Sequence, residues 1–230
     1  IAYLLVQALE NALREADSSR HAACLLTQVE VDEDDPAFDD PSKFIGAFYT
    51  EEEARRIEAE MGWQMKEDSG RGWRHVVPSP KPQHVCDISL VQVLARRGTI
   101  VIAGGGGGIP VVRGPKGVRR GVQAVIDKDL TSAHMANVLG IELLMILTAV
   151  PRVAVDFGKP GQRELDQVTM RELRALHAEG HFPPGSMGPK IEAALRFLEG
   201  GGERVIIAHL DEAMTALHGE AGTHVLADDA

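Results

Sequence analysis

Thr99-Ile100-Val101-Ile102-Ala103-Gly104-Gly105-Gly106-Gly107-Gly108-Ile109-Pro110-Val111-Val112 joins an apolar run, five glycines and a second apolar run. The apolar run predicts a strand, and strands alternating with helices along the chain are the habit of parallel sheets flanked by helices. In such sheets ligands bind beyond the carboxyl ends of strands, where these glycines stand. They match neither G-x-G-x-x-G, because Ile109 occupies the last glycine position, nor a phosphate loop ending in G-K-[ST]. A tight structural turn and a loop whose N–H groups close on phosphate oxygens are both open readings.

The same alternation continues downstream. Residues 124–126 predict a strand leading to Asp127-Lys128-Asp129, followed by a helix over 130–139 and a strand over 143–147. Helices are predicted at about 169–179 and 189–199, then a strand over 204–208 and a helix over 211–217. Upstream, a helix at about 87–97 precedes the glycine strand. Residues 2–16 carry Leu4, Leu5, Ala8, Leu9 and Ala12 on one helical stripe, and residues 23–31 read as one buried strand. The acidic loop 32–40, with Pro36 and then Pro41, reads as solvated surface. The expected architecture is α/β, a three-layer αβα sandwich around a central, mainly parallel sheet.

Residues 45–80 read as a small insertion. Thr50 with Glu53 three positions on is a capping box opening a helix to about Met61, with short strands near 63–65 and 74–77. Trp63 and Trp73 lie here, either filling a small core or belonging to a lid.

The chain has 44% apolar residues and a net charge of −10, which opposes a generic nucleic-acid surface and leaves small anionic substrates open. No stretch reads as a signal or a membrane span, and two cysteines fit a reducing compartment, so the expected location is cytoplasmic. Nine histidines without ligand spacing argue against a protein-only metal site, and no G-x-S-x-G elbow is present. Of 24 basic residues only seven are lysines, at 43, 66, 81, 116, 128, 159 and 190. A Lys kept beside glycines or carboxylates in an Arg-using chain points to a need for a compact ammonium. Lys128 lies between two carboxylates at a strand-to-helix junction. Gly185-Ser186-Met187-Gly188-Pro189-Lys190 sets glycines, a hydroxyl and Pro189 at a helix mouth, with Lys190 in its first turn against the helix dipole. Together with the glycine run these residues read as a phosphoryl-transfer site without a phosphate loop. A carboxylate of the triplet could also arrange neighbouring ammonium groups or help to hold Mg²⁺.

These residues resemble the carbamate kinases of the amino acid kinase family. The likeness runs from Tyr3 to about Val225 through Phe48-Tyr49-Thr50-Glu51-Glu52-Glu53-Ala54, Glu67-Asp68-Ser69-Gly70-Arg71-Gly72-Trp73-Arg74 and Val76-Val77-Pro78-Ser79-Pro80-Lys81-Pro82. It continues through the glycine run, Ala124-Val125-Ile126-Asp127-Lys128-Asp129, and Gly180-His181-Phe182-Pro183-Pro184-Gly185-Ser186-Met187-Gly188-Pro189-Lys190.

The resemblance implies reversible phosphoryl transfer between ATP and carbamate, giving ADP and carbamoyl phosphate with Mg²⁺, usually toward ATP in arginine breakdown, by a homodimer. It implies catalytic roles for Lys128 and Lys190, with Asp127 orienting them. Lys81, Gly105, Gly106, Gly107 and Gly108 are implied at the substrate and transferring phosphate, and Thr148, Met187 and Gly188 at the nucleotide. Residues 45–82 are expected to form a protruding subdomain within a domain spanning 1–230. The first residue is Ile1, and the family's Gly-Gly-Asn strand end and second glycine-rich loop have no counterpart, so that domain is expected to lack its N-terminal part. Ala149 and Ala154 stand where relatives usually carry Asp and Tyr. The alternatives are another amino acid kinase, opposed by the Pro-Lys-Pro segment and the tryptophan-bearing insertion, and a truncated nucleotide binder without turnover, favoured by those two alanines.

Overall fold

The computed structural model describes residues 1–68, 70–183 and 186–228, and the chain divides into two units, Ile1–Lys128 and Asp129–Ala230. The first contains, in chain order, α1 (Ala2–Glu15), β1 (Ala22–Cys24), β2 (Gln28–Glu30), β3 (Lys43–Tyr49), α2 (Glu51–Met61), β4 (Met65–Glu67), β5 (Trp73–Val77), β6 (His84–Val85), α3 (Ile88–Arg96), β7 (Ile100–Ile102), β8 (Ile109–Arg113) and β9 (Arg119–Gly121). Then come α4 (Lys128–Leu139), which opens at the division, β10 (Leu143–Thr148), β11 (Ala154–Val155), β12 (Arg163–Glu164), β13 (Gln167–Thr169), α5 (Met170–Ala178), α6 (Gly188–Glu199), β14 (Arg204–His209), α7 (Ala213–Leu217) and β15 (Thr223–Leu226). The α/β alternation is as expected. Among the described residues no helix is long and apolar enough to cross a membrane.

Parallel pairing joins β1 to β7 and β2 to β8, while β6 and β9 close the latter sheet antiparallel at its edges. In the second unit β10 and β14 run parallel over six residues, β15 lies antiparallel to β14, and β13 returns parallel to β15. These sheets are mixed. The centre of the second unit is the run Val205-Ile206-Ile207-Ala208, fully buried, with α6 contributing Ile191, Ala194 and Phe197. Residues this apolar on a strand and a helix stripe remove enough surface from water to drive the packing of that unit.

Three sequence expectations need correction. Residues 23–31 are two strands in different sheets: β1 pairs with β7 and β2 with β8, and Thr27 between them gives its hydroxyl to the glycine loop and its carbonyl to the first rung with β8. Residues 124–126 are not a strand: Val125 donates to the carbonyl of Pro78 at 2.9 Å and the Ile126 carbonyl faces Gly107, so neither group serves a sheet. The predicted strand at 63–65 begins at Met65, and β3, β5 and β4 form an antiparallel sheet beside α2. Strand β3 escaped prediction because Gly46, at φ +71°, and an irregular register between Ile45 and Tyr49 interrupt its alternation. The Thr50–Glu53 capping box forms as expected, each side chain bonding the other's backbone N–H.

The 43–77 region is tied by cations. Asp68, almost fully buried, bonds Arg71 at 2.6 Å and Arg74 at 3.2 Å, and both guanidinium groups lie over the Phe48 ring. Burial alone would raise the Asp68 carboxyl; the two arginines outweigh it and hold it below the usual carboxylate range. Trp63 stacks on His75 with centroids 4.3 Å apart, and Arg55 covers Trp73. The acidic loop does more than meet solvent. Asp35 caps a short 3-10 turn through Ala37 and accepts the Lys81 N–H at 3.0 Å, while Asp40 pairs with Lys66.

In the four-stranded sheet, Arg113 on β8 and Arg119 on β9 stand directly opposite each other, and the buried Glu30 on β2 answers both, at 2.6 and 3.4 Å. Hydrogen bonds from Arg113 hold Glu30 below its ordinary pKa against the opposing effect of burial. This contribution is therefore present above the ordinary glutamate range, about 4.3, and is lost as pH falls through the lower folded value. Arg113→Met is expected to destabilise the chain near neutrality, with the gap to the unaltered chain narrowing in acid. Urea melts across pH measure this; a gap constant down to about pH 3 would contradict the assignment.

Candidate active site

The glycine loop is built on Thr27. The hydroxyl of Thr27 accepts the Gly104 N–H at 2.9 Å and its carbonyl accepts the Ile109 N–H at 2.8 Å, so one buried residue closes both ends of the turn. Between them Gly107 donates to the Gly104 carbonyl at 2.8 Å. Two glycines have no substitute. At Gly107, φ +132°, a Cβ would lie 2.0 Å from the Ile126 carbonyl oxygen; at Gly108, φ +93°, it would lie 2.3 Å from the Val29 side chain. Gly105 and Gly106 have open space around the Cβ position, which leaves their backbone accessible to a ligand.

Contact with Gly107 brings the loop to the start of the acidic triplet, at Ile126 and the Lys128 N–H. Asp127 is 5% exposed and accepts from the Lys43 ammonium at 2.6 Å. Lys128, the first residue of α4, is exposed and is flanked in sequence by two buried carboxylates. Lys81 also has an exposed side chain; its backbone N–H is fixed to Asp35 and its neighbours Pro80 and Pro82 are buried.

In the second unit Asp129 occupies the first turn of α4, where the helix dipole favours an anion, and accepts from Lys190 at 2.8 Å. Lys190 stands in the first turn of α6, where the dipole opposes a cation, and Asp129 compensates that opposition. Both partners are mostly buried, so the ammonium is held in one direction. The helix begins at Gly188, whose N–H bonds the Pro183 carbonyl at 2.8 Å; a Cβ there would lie 2.9 Å from that oxygen. Met187 is the residue before it and packs partly on the core. Thr148 ends β10 beside His209, at the carboxyl ends of a parallel pair, the position at which α/β sheets take ligands. Pro184 and Gly185 of the motif, and Ser69 of the 67–74 stretch, lie outside the described residues.

Sequence reasoning singled out Lys128, Lys190 and Asp127 but missed Thr27, Lys43 and Asp129 as partners. Lys43 carried a signal in being one of few lysines; Asp129 had one in following Lys128. Thr27 had none, since its use depends on residues 77 and more positions away. The two buried carboxylates each meet an ammonium, Asp127 with Lys43 and Asp129 with Lys190. Among the described residues no three His, Cys, Asp or Glu side chains gather to hold a metal ion.

A sequence profile of the amino acid kinase family matches residues 42–209. The carbamate kinase of Pyrococcus furiosus is 49% identical over 226 residues, covering 98% of this chain and 72% of the relative. Carbamate kinase from Giardia lamblia bound to AMP-PNP superposes with a TM-score of 0.86 at 41% identity, over 99% of this chain and 72% of that one. The same enzyme bound to citric acid gives 0.91 at 40% identity, over 99% and 71%.

The glycine geometry makes a paired prediction. Gly107→Ala is expected to cost about 3 kcal/mol or more through backbone strain, whereas Gly106→Ala, with open space, is expected to stay within about 0.5 kcal/mol of the parent. Denaturant midpoints compare them, and equal midpoints would refute the close approach of Ile126.

Proposed function

The chain belongs to the amino acid kinase family, among its carbamate kinases, and we propose that it catalyses reversible phosphoryl transfer between ATP and carbamate, giving ADP and carbamoyl phosphate. The observation that carries this reading is the pair of buried carboxylate–ammonium contacts, Asp127 with Lys43 and Asp129 with Lys190, on either side of Lys128. Phosphoryl transfer asks the protein for little covalent chemistry; it asks for positive charge and N–H donors already in place where charge develops.

In this mechanism Lys128 and Lys190 neutralise the transferring phosphoryl group. Asp129 keeps Lys190 aimed. Asp127 holds Lys43, which adds a third ammonium, and the open backbone at Gly105 and Gly106 donates to phosphate oxygens beside Gly107 and Gly108. Lys81, fixed at its backbone by Asp35, reaches the substrate from the 45–82 segment, read as a protruding subdomain. Thr148, Met187 and Gly188 form the nucleotide edge; nucleotide binding itself is supported by AMP-PNP in the Giardia lamblia relative.

The residues fit a metal carried mainly by phosphate oxygens, since the two buried carboxylates are already charge-compensated by lysines. Mg²⁺ bound in that way supplies further neutralisation of the phosphates. The physiological direction we propose is ATP formation during arginine breakdown, by a cytoplasmic homodimer.

The test is ATP formation from ADP and carbamoyl phosphate. Lys128→Ala or Lys190→Ala is expected to lower kcat at least about a hundredfold relative to the parent, the scale of losing one preorganised electrostatic contact. Unchanged rates in both variants would reject the assignment. Binding of ADP with no ATP formed would select a nucleotide binder without turnover.

A further inference from the structure

His181 lies just ahead of α6 and has a carboxylate on each side. Its Nδ1 is 3.3 Å from Asp156 Oδ1 and its Nε2 is 3.2 Å from Glu179 Oε2, and the ring is 21% exposed. In either tautomer one ring nitrogen donates to a carboxylate. Asp156 follows β11 and opens the turn that leads to β12. That turn is tightly specified: Asp156 has φ +53° and Gly158 φ +76°, the Lys159 N–H returns to the Asp156 carbonyl at 2.9 Å, and Lys159 Nζ stands 3.5 Å from the same carboxylate. A non-glycine residue in the left-handed region is uncommon and is tolerated best by Asp or Asn. The side chain that holds this conformation is therefore also the one that grips His181.

From His181 the path to the helix is short. Phe182 is buried in the core of the unit and the Pro183 carbonyl accepts the Gly188 N–H, the first residue of α6. Among the described residues ahead of α6, His181, Phe182 and Pro183 each have an anchor of this kind. Of these, only His181 reaches out to the β11–β12 turn through a polar side chain.

We propose that His181 is a positioning residue for the nucleotide: by bridging Asp156 and Glu179 it clamps the β11–β12 turn against the entry to α6, and so sets the nucleotide edge formed by Met187 and Gly188. This rests on the assignment of that edge to ATP and ADP. Lys190 has its own anchor in Asp129, so loosening the clamp alters nucleotide affinity while leaving the chemical step in place.

The experiment uses the full chain, with kinetics in the ATP-forming direction and calorimetric titration with ADP. His181→Ala and Asp156→Gly each remove the contact between His181 and Asp156, the latter without straining the positive φ. Each is expected to raise the KM and Kd for ADP about fivefold, with kcat and the KM for carbamoyl phosphate within about twofold. The double variant is expected to match either single one, since both remove the same contact. Asp156→Asn, which keeps an acceptor oxygen and tolerates the backbone, is expected to stay near the parent.

Unchanged ADP affinity in the single variants, additive effects in the double, or an equal rise in both KM values would overturn the proposal, as would failure of Asp156→Asn to rescue. Thermal melts identify a variant that has lost its fold, and His181→Gln, which keeps a donor, then replaces His181→Ala and is expected to raise ADP Kd by a smaller factor. If the chain binds ADP but forms no ATP, the carbamate kinase reading fails while the calorimetric arm still decides the clamp. If it does not bind ADP, the clamp falls as well.

Discussion

Two carboxylates buried one residue apart, at Asp127 and Asp129, set the main constraint on this molecule. Neither can remain charged in a poorly solvated place without a cation. Each has one: Lys43 enters from the start of a strand and Lys190 from the first turn of a helix. The need to compensate two buried anions therefore fixes where two distant lysines must be, and leaves Lys128 between them in the chain with an exposed side chain. The same contacts that satisfy folding also point ammonium groups in fixed directions, so charge positioning comes as a consequence of burial.

The glycine loop shows the complementary strategy. Here the scaffold is a threonine between two strands, whose hydroxyl accepts the Gly104 N–H while its carbonyl accepts the N–H of Ile109 at the start of β8. That use breaks what would otherwise be one long strand into β1 and β2, in different sheets. Local β propensity gives way because a closed loop satisfies the backbone groups equally well and places glycine N–H groups at the end of a strand.

Much of this was legible in the sequence. Long apolar runs predicted β10, β14 and α6, of which β14 is the strand buried on both faces while β10 alternates and leaves Leu147 exposed; the Thr50–Glu53 box was legible because capping is encoded within four residues. What escaped was non-local. Ala124-Val125-Ile126 has strand composition, yet its polar backbone atoms meet Pro78 and Gly107, contacts that no periodicity announces. Strands β13 and β15 are short and carry Thr223 and His224, polar residues buried only by their neighbours. In the site, residue type gave Lys128 and Lys190, while their companions Lys43, Asp129 and Thr27 became visible only through pairing across the fold.

The turn at Gly107 has a consequence for how this lineage can change. Any single-base alteration of a glycine codon that changes the residue introduces a side chain, or ends the chain, and every such side chain begins with the carbon for which the Ile126 carbonyl leaves no room. The position is barred to drift by geometry, whether or not the protein still turns over substrate. A descendant that had abandoned catalysis would be released from selection on the phosphoryl-transfer role proposed for Lys128, yet would keep Gly107 for as long as it kept its fold. Within a set of divergent sequences the two positions would thus act as separate clocks, one recording selection on chemistry and the other recording the survival of the turn.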